Sequence, residues 1–220
     1  MQPGSFGDLM APEDLELVRA RGGRRRFPRG TILFHEGETP DRVLLLERGR
    51  VKVSTVSRDG HETVLAVRGP GDLLGELSAV DGDAPSATVV ALEEVEAHAM
   101  STEDFRRVLS DSPRIALLLL GTLSNRLRDA DRKRMEFGAY DTEGRVASRL
   151  VELAERFGPA EPTVVHLDLP ISQEELAGWV GSSREAVSKA LRALREDGCI
   201  ETGRKTVTIL DLSALRARAT

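Results

Sequence analysis

The chain has 220 residues, with 31 Lys and Arg against 36 Asp and Glu for a formal net charge of −5, and 40% of it is hydrophobic. That length suits two modest domains, and that balance excludes both a disordered chain and one coated evenly in positive charge. The single cysteine, Cys199, excludes an internal disulfide and any cluster held by four cysteines of one chain, while the longest apolar run, Ile115 to Leu120, is too short to cross a bilayer. With no secretory signal at the N-terminus, a cytoplasmic location without a membrane partner is the expectation.

Glu13 to Arg21 reads as a helix, after which short β-branched runs are punctuated by glycine at Gly30, Gly37, Gly49, Gly60, Gly69, Gly71, Gly75 and Gly82. Such spacing predicts a small antiparallel roll, with strands at Thr31–Phe34, Arg42–Glu47, Arg50–Val56, Glu62–Val67, Ala87–Ala91 and Val95–Met100. From Thr102 the pattern turns helical, and Pro113 to Phe137 reads as one long helix. Leu120, Leu123, Leu127, Ala130, Arg134 and Phe137 follow at spacings of 3, 4, 3, 4 and 3, a heptad seam along which two copies can zip. Arg134 is the polar exception. Gly138 to Thr142 breaks the helix and is the expected hinge, followed by a helix from Thr142 to Phe157.

Near the C-terminus, Ser172 is placed to cap a helix that begins at Gln173, with Glu175 in the reciprocal capping position. Leu176, Ala177 and Val180 fall on its inner face, and Gly181 supplies the left-handed residue that ends it. Ser182 or Ser183 caps a second helix with Ala186, Val187, Ala190, Leu191 and Leu194 inward and Ser183, Arg184, Glu185, Ser188, Lys189 and Arg192 outward. This is a helix-turn-helix, and its partner is double-stranded DNA. Arginine and lysine donate to guanine O6 and N7, and glutamate accepts from cytosine N4, so Arg184, Glu185 and Lys189 are candidate base readers. Cys199–Glu201 and Thr206–Ile209 then read as strands around a basic turn, a wing that brings Arg204 and Lys205 near phosphates. From Ser182 to Lys205 six cations (Arg184, Lys189, Arg192, Arg195, Arg204, Lys205) face four acids (Glu185, Glu196, Asp197, Glu201), a small local excess of positive charge in an acidic chain.

The predicted class is therefore α+β: a roll with an N-terminal helix over residues 1–110, a long dimerisation helix and hinge over 111–139, and a winged helix-turn-helix over 140–220. In that order, with the segments Phe27 to Gly30, Gly69 to Ser78, Asp141 to Val146 and Gly181 to Lys189, the chain resembles the cyclic AMP receptor protein and fumarate-nitrate regulator superfamily of bacterial transcription factors. The resemblance implies a homodimer on palindromic operators, RNA polymerase as a partner, and contacts from Ser172, Gln173, Ser183, Arg184, Glu185, Ser188, Lys189, Arg204 and Lys205 to DNA. Lys189 stands where the cyclic AMP receptors usually carry arginine; it keeps the charge and loses the bidentate fork.

The resemblance also implies a cyclic-nucleotide site in the roll, at Gly75, Glu76, Leu77, Ser86, Ala87 and Arg126. The family's cassette runs Gly-Glu-Leu, a short loop, then an arginine before Ser-Ala or Thr-Ala. Gly75, Glu76, Leu77, Ser86 and Ala87 match it, but the arginine position is Pro85, which offers neither charge nor backbone N–H. On the long helix the two hydroxyl residues that bind adenine correspond to Ala130 and Asp131, and an aspartate there repels a phosphate-bearing ligand unless it meets a donor edge. Three readings of the roll stay open: cyclic AMP in the usual pose, another small ligand, and a ligand-free scaffold. No metal is expected, because the N-terminus has no cysteine cluster and His35, His61, His98 and His166 read as isolated surface residues. No hydrolase or nucleotide-triphosphatase motif is present, so no enzyme is expected. The competing reading is a cyclic-nucleotide-responsive module acting on a protein partner.

Overall fold

The computed structural model describes residues 5–39, 41–158, 164–168, 171–203 and 205–219. Helices α1 (Phe6–Leu9) and α2 (Pro12–Ala20) precede strands β1 (Gly23–Phe27), β2 (Ile32–Phe34), β3 (Arg42–Arg48), β4 (Val51–Val56), β5 (Glu62–Arg68) and β6 (Leu73–Leu74). Helix α3 (Glu76–Asp81), strands β7 (Thr88–Ala91) and β8 (Val95–Ser101), and helices α4 (Thr102–Asp111), α5 (Pro113–Ala139) and α6 (Thr142–Phe157) follow. The chain continues through β9 (Val165–Asp168), α7 (Gln173–Val180), α8 (Arg184–Glu196), β10 (Ile200–Gly203), β11 (Thr206–Ile209) and α9 (Leu212–Arg218).

Every predicted strand and helix has its counterpart within a few residues. Six elements were not foreseen: β1, β6, β9, α1, α3 and α9. The hidden strands have physical reasons. In β1 three consecutive arginines mask the alternation, β6 is only two residues long, and β9 carries just two inward residues, Val165 and Leu167.

The chain divides into two compact units, one holding residues up to Thr55 together with Leu65–Arg128, the other Asp129–Thr220 together with Val56–Val64. In the first, two four-stranded antiparallel sheets, ordered β1-β8-β3-β6 and β2-β7-β4-β5, enclose Leu33, Phe34, Leu44, Leu46, Val51, Val89, Val95 and Ala97. The continuous run Val43 to Leu46 in β3 is buried on both faces, since Val43 and Leu45 turn the other way and pack with Phe6, Val18, Phe105, Ile115 and Leu119 of the helices.

In the second unit a four-residue polar network crosses between α5 and α6. Arg149, 3% exposed, donates to Glu136, 5% exposed, and to Glu152 at 2.8 Å, while Lys133 donates to Glu152 at 3.0 Å. Burial raises the Glu152 pKa, but Lys133 and then Arg149 outweigh it and hold this carboxyl below the usual range. Lys133 and Arg149 also lie 5.6 and 5.9 Å from the centroid of the buried Trp179 ring. Asp141 caps α6 through Gly144 N–H at 2.8 Å, and Tyr140 O accepts from Arg145 at 2.6 Å. The segment expected as a hinge, Gly138 to Thr142, is thus a capped and braced corner inside one unit, and the division between units falls upstream, between Arg128 and Asp129.

Among the described residues, no helix is long and apolar enough to cross a membrane, and no group of three or more His, Cys, Asp or Glu is placed to hold a metal ion. His98 departs from its expected place at the surface. It is buried, and burial pushes its pKa below 6.5.

Candidate nucleic-acid interface

Ser172 and Glu175 form the reciprocal cap predicted for α7: Glu175 N–H donates to Ser172 Oγ at 3.1 Å and Ser172 N–H to Glu175 Oε2 at 2.7 Å. Gly181 ends the helix at φ +62°, and Ser183 rather than Ser182 caps α8, accepting from Ala186 N–H at 3.1 Å. Ser182 instead shares a hydrogen bond with Thr142 at 2.9 Å, tying the turn to the start of α6. Arg145 Nε adds a second tie, donating to Val180 O at 2.8 Å. The turn between the two helices is therefore held at two points by the start of α6.

Gly181 has a second requirement that spacing did not reveal. A Cβ there would stand 2.3 Å from Phe137, whose ring lies 5.5 Å from the Arg145 guanidinium. Phe137 was expected in the dimer seam, but about half of it is committed to this seat at the end of α7.

With Val187, Ala190, Leu191 and Leu194 buried beneath, α8 leaves Ser183, Arg184, Glu185, Ser188, Lys189 and Arg192 exposed over its first three turns. Among the described residues, the side chains of Arg184, Glu185, Lys189 and Arg192 have no ion pair or hydrogen bond, so their donors and acceptors are free for a ligand. Gln173 is exposed at the first turn of α7, and the Ser172 and Ser183 hydroxyls keep a hydrogen to donate even while their oxygens cap. The wing forms as β10 and β11, in the register Ile200 to Ile209 and Gly203 to Thr206, with β9 beyond β11. Cys199 precedes the wing strand and is buried, which raises its thiol pKa. Lys205 stands exposed at the tip with φ +61°, whereas Arg204 lies outside the described residues. Arg195, also basic and exposed, is turned toward the wing and donates to Thr202 at 3.1 Å.

The seam on α5 is open. Leu120 and Leu127 are 59% and 65% exposed, Ala130 is exposed, and Leu123 is half-buried against the core of the first unit. Leu117, 68% exposed and outside the predicted register, extends the apolar surface toward the start of the helix.

Of the residues expected around a roll ligand, the structure brings Glu76 and Arg126 together. Glu76 is buried, and Arg126 Nη1 stands 2.5 Å from its Oε1 while Nη2 donates to Leu73 O at 2.9 Å and lies 3.7 Å from Asp72. Gly75 precedes α3 at φ +79°, where a Cβ would meet Arg42 O at 2.6 Å, so glycine is required. Ala87 is buried, Ser86 and Leu77 are exposed, and Pro85 O accepts from Gly37 N–H at 2.9 Å. The roll thus holds one arginine at this place, already matched by two carboxylates.

Residues 24–112 match the family model of the cyclic nucleotide-binding domain, and residues 144–218 that of the Crp-like helix-turn-helix domain. The chain is 38% identical over 193 residues to a CRP-like cAMP-activated global transcriptional regulator of Mycobacterium tuberculosis, covering 88% of this chain and 86% of that protein. It is 33% identical over 207 residues to the cyclic AMP receptor protein of Thermus thermophilus, covering 94% and 92%. Among solved structures, the c-di-GMP responsive global regulator CLP of Xanthomonas campestris superimposes with a TM-score of 0.77 at 27% identity, over 90% of this chain and 99% of that one.

Proposed function

The chain belongs to the Crp/Fnr superfamily of DNA-binding transcription regulators, and from that premise we propose that it works as a homodimer whose two α8 helices enter successive major grooves of a palindromic operator. One observation carries this reading: from a capped N-terminus, α8 presents the side chains of Arg184, Glu185, Ser188 and Lys189 on one exposed face with no partner among the described residues. Arg184 and Glu185 read a G·C-containing half-site, and Lys189 adds charge with weaker discrimination. Ser172, Gln173, Ser183 and Lys205 hold phosphates and set register. The dimer forms along Leu120, Leu123, Leu127 and Ala130. RNA polymerase is the protein partner of such a regulator, and the cytoplasm is its place of work.

The roll does not suit a cyclic mononucleotide clamped by arginine. A ring phosphate buried there needs a cation of its own. Arg126 is spent on Glu76 and Asp72, and Pro85 supplies neither charge nor N–H. Relatives are named for activation by cyclic AMP and for response to c-di-GMP, so calorimetric titration with cyclic AMP, cyclic GMP and c-di-GMP decides the point. Silence with cyclic AMP is the expected outcome, and micromolar saturable heat would overturn it.

For DNA, the test is selection of binding sites from a random duplex pool, followed by fluorescence anisotropy on the selected palindrome. Arg184→Ala should cost ~1–3 kcal/mol and relax preference at one base pair per half-site, whereas Lys205→Ala should weaken all sequences alike. An unchanged sequence preference in Arg184→Ala would refute the base-reading role.

A further inference from the structure

The first unit contains a cleft of about 550 Å³ lined by residues of β1, the start of β3 and the end of β8, with neither Gly75 nor Arg126 in its lining. Its origin lies in small residues. β1 pairs with β8 so that Gly23 faces Ala99, Arg25 faces Ala97 and Phe27 faces Val95. Phe27 packs on the core between the sheets, and strand alternation puts Gly23 and Arg25 on that same side. A Cβ built at Gly23 would meet nothing within 4 Å, a direct sign of open space beside it.

The charges around this space are unevenly matched. Arg24 and Arg26, on the opposite face of β1, pair with Glu47 at 3.1 Å and Glu96 at 3.2 Å. Arg25, on the cleft side, has no ion pair or hydrogen bond among the described residues. Across the cleft Arg42 donates to Leu33 O at 3.0 Å, yet its Nε is buried without a partner. Asp41 and Asp104 also line the cleft but are engaged: Asp41 lies 3.5 Å from Arg42, and Asp104 accepts from Ser101 Oγ at 2.6 Å at the cap of α4. Phe27 and Met100 add an apolar wall.

We propose that this cleft is a second ligand site, for a small phosphate monoester carrying a flat apolar group. The guanidinium of Arg25 supplies charge-assisted donors in the fork geometry that phosphate oxygens match, and Phe27 receives the ring. The volume is that of a small-molecule site.

The probe is phenyl phosphate, titrated calorimetrically into the full-length protein, with inorganic phosphate and an octaglutamate peptide as comparisons. The expected result is one saturable phenyl phosphate site per chain, competed weakly by inorganic phosphate. Arg25→Gln, at an exposed position, should weaken it about tenfold or more. Gly23→Val should weaken it by crowding the wall beside Arg25, and Gly23→Ala, which adds one methyl group to open space, should weaken it less, a graded loss that a folding defect does not imitate. Thermal midpoint and operator affinity should stay as in the parent. Three results overturn the proposal: no saturable binding at millimolar phenyl phosphate, an affinity indifferent to both Arg25→Gln and Gly23→Val, or octaglutamate binding that Arg25→Gln removes and Gly23→Val leaves intact.

Discussion

Replacing Leu127 by alanine isolates the dimer seam, because the side chain is 65% exposed in the single chain and contributes little to its own fold. Burying a leucine completely is worth ~1.5–3 kcal/mol, so closing over the two-thirds on offer is worth ~1–2 kcal/mol per copy. A two-fold interface counts it twice, giving ~2–4 kcal/mol per dimer and a dissociation constant raised about 30- to 700-fold. Leu120, 59% exposed, should contribute a comparable increment, close to additive because the two positions lie two turns apart on the helix. Sedimentation equilibrium measures the constant, and anisotropy on full and half palindromes measures its consequence. The variant should lose its preference for the full palindrome while keeping the half-site preference set by Arg184. A parent protein that is monomeric at tens of micromolar, or a variant whose dimerisation shifts less than about threefold, would refute the seam.

Arg149→Met takes from Glu136 and Glu152 the cation they share, leaving Glu152 to Lys133 alone, and removal of one partner from a buried pair typically costs ~3–5 kcal/mol, measurable by urea unfolding. Replacing Glu136 and Arg149 together by apolar residues should recover part of that loss. Gly181→Ala forces a side chain into a left-handed residue and against Phe137, so a loss of ~1–3 kcal/mol and weakened operator binding are expected; a variant as stable as the parent would mean Phe137 has another seat. His98, buried near Glu47, Arg19 and Arg24, has a folded pKa held below 6.5 by burial. Between that lower value and 6.5 the unfolded chain binds the extra proton, so stability is full above 6.5 and falls as pH drops through the window. Unfolding free energies of His98→Gln should lack that component, leaving only the acid loss below the usual 4.5 of carboxylates such as Glu152.

The helix-turn-helix was legible because its signals are local. Ser172, Glu175, Gly181 and Ser183 each act within four residues, and their hydrogen bonds form where the spacing placed them. The exposed apolar stripe on α5 was visible for a different reason: Leu120 and Leu127 keep a period that the single chain leaves exposed. Phe137 keeps the same period, but its ring also seats at Gly181, a contact across 44 positions that no local pattern carries. β1 was lost for a related cause. Two of its three arginines answer to Glu47 and Glu96, and the third faces the cleft, so the strand has an inside made of Gly23 and Arg25 that composition reads as outside. The polar network of Lys133, Glu136, Arg149 and Glu152 was equally invisible, since each residue alone reads as a solvated charge.

That network bears on how control can reach the DNA. Helix α5 is shared, with Pro113–Arg128 in the first unit and Asp129–Ala139 in the second. At Arg126 it is fastened to the roll through Glu76 and Leu73, and at Lys133 and Glu136 it is fastened to α6. Between these fastenings, Asp129 and Arg132 pair along the helix itself at 3.2 Å. Only a difference in affinity between two arrangements of the chain can move such an equilibrium, so an effector has to bind one of them better than the other. The braced corner at Tyr140 and Asp141 then carries α6 and the helix-turn-helix along with the end of α5.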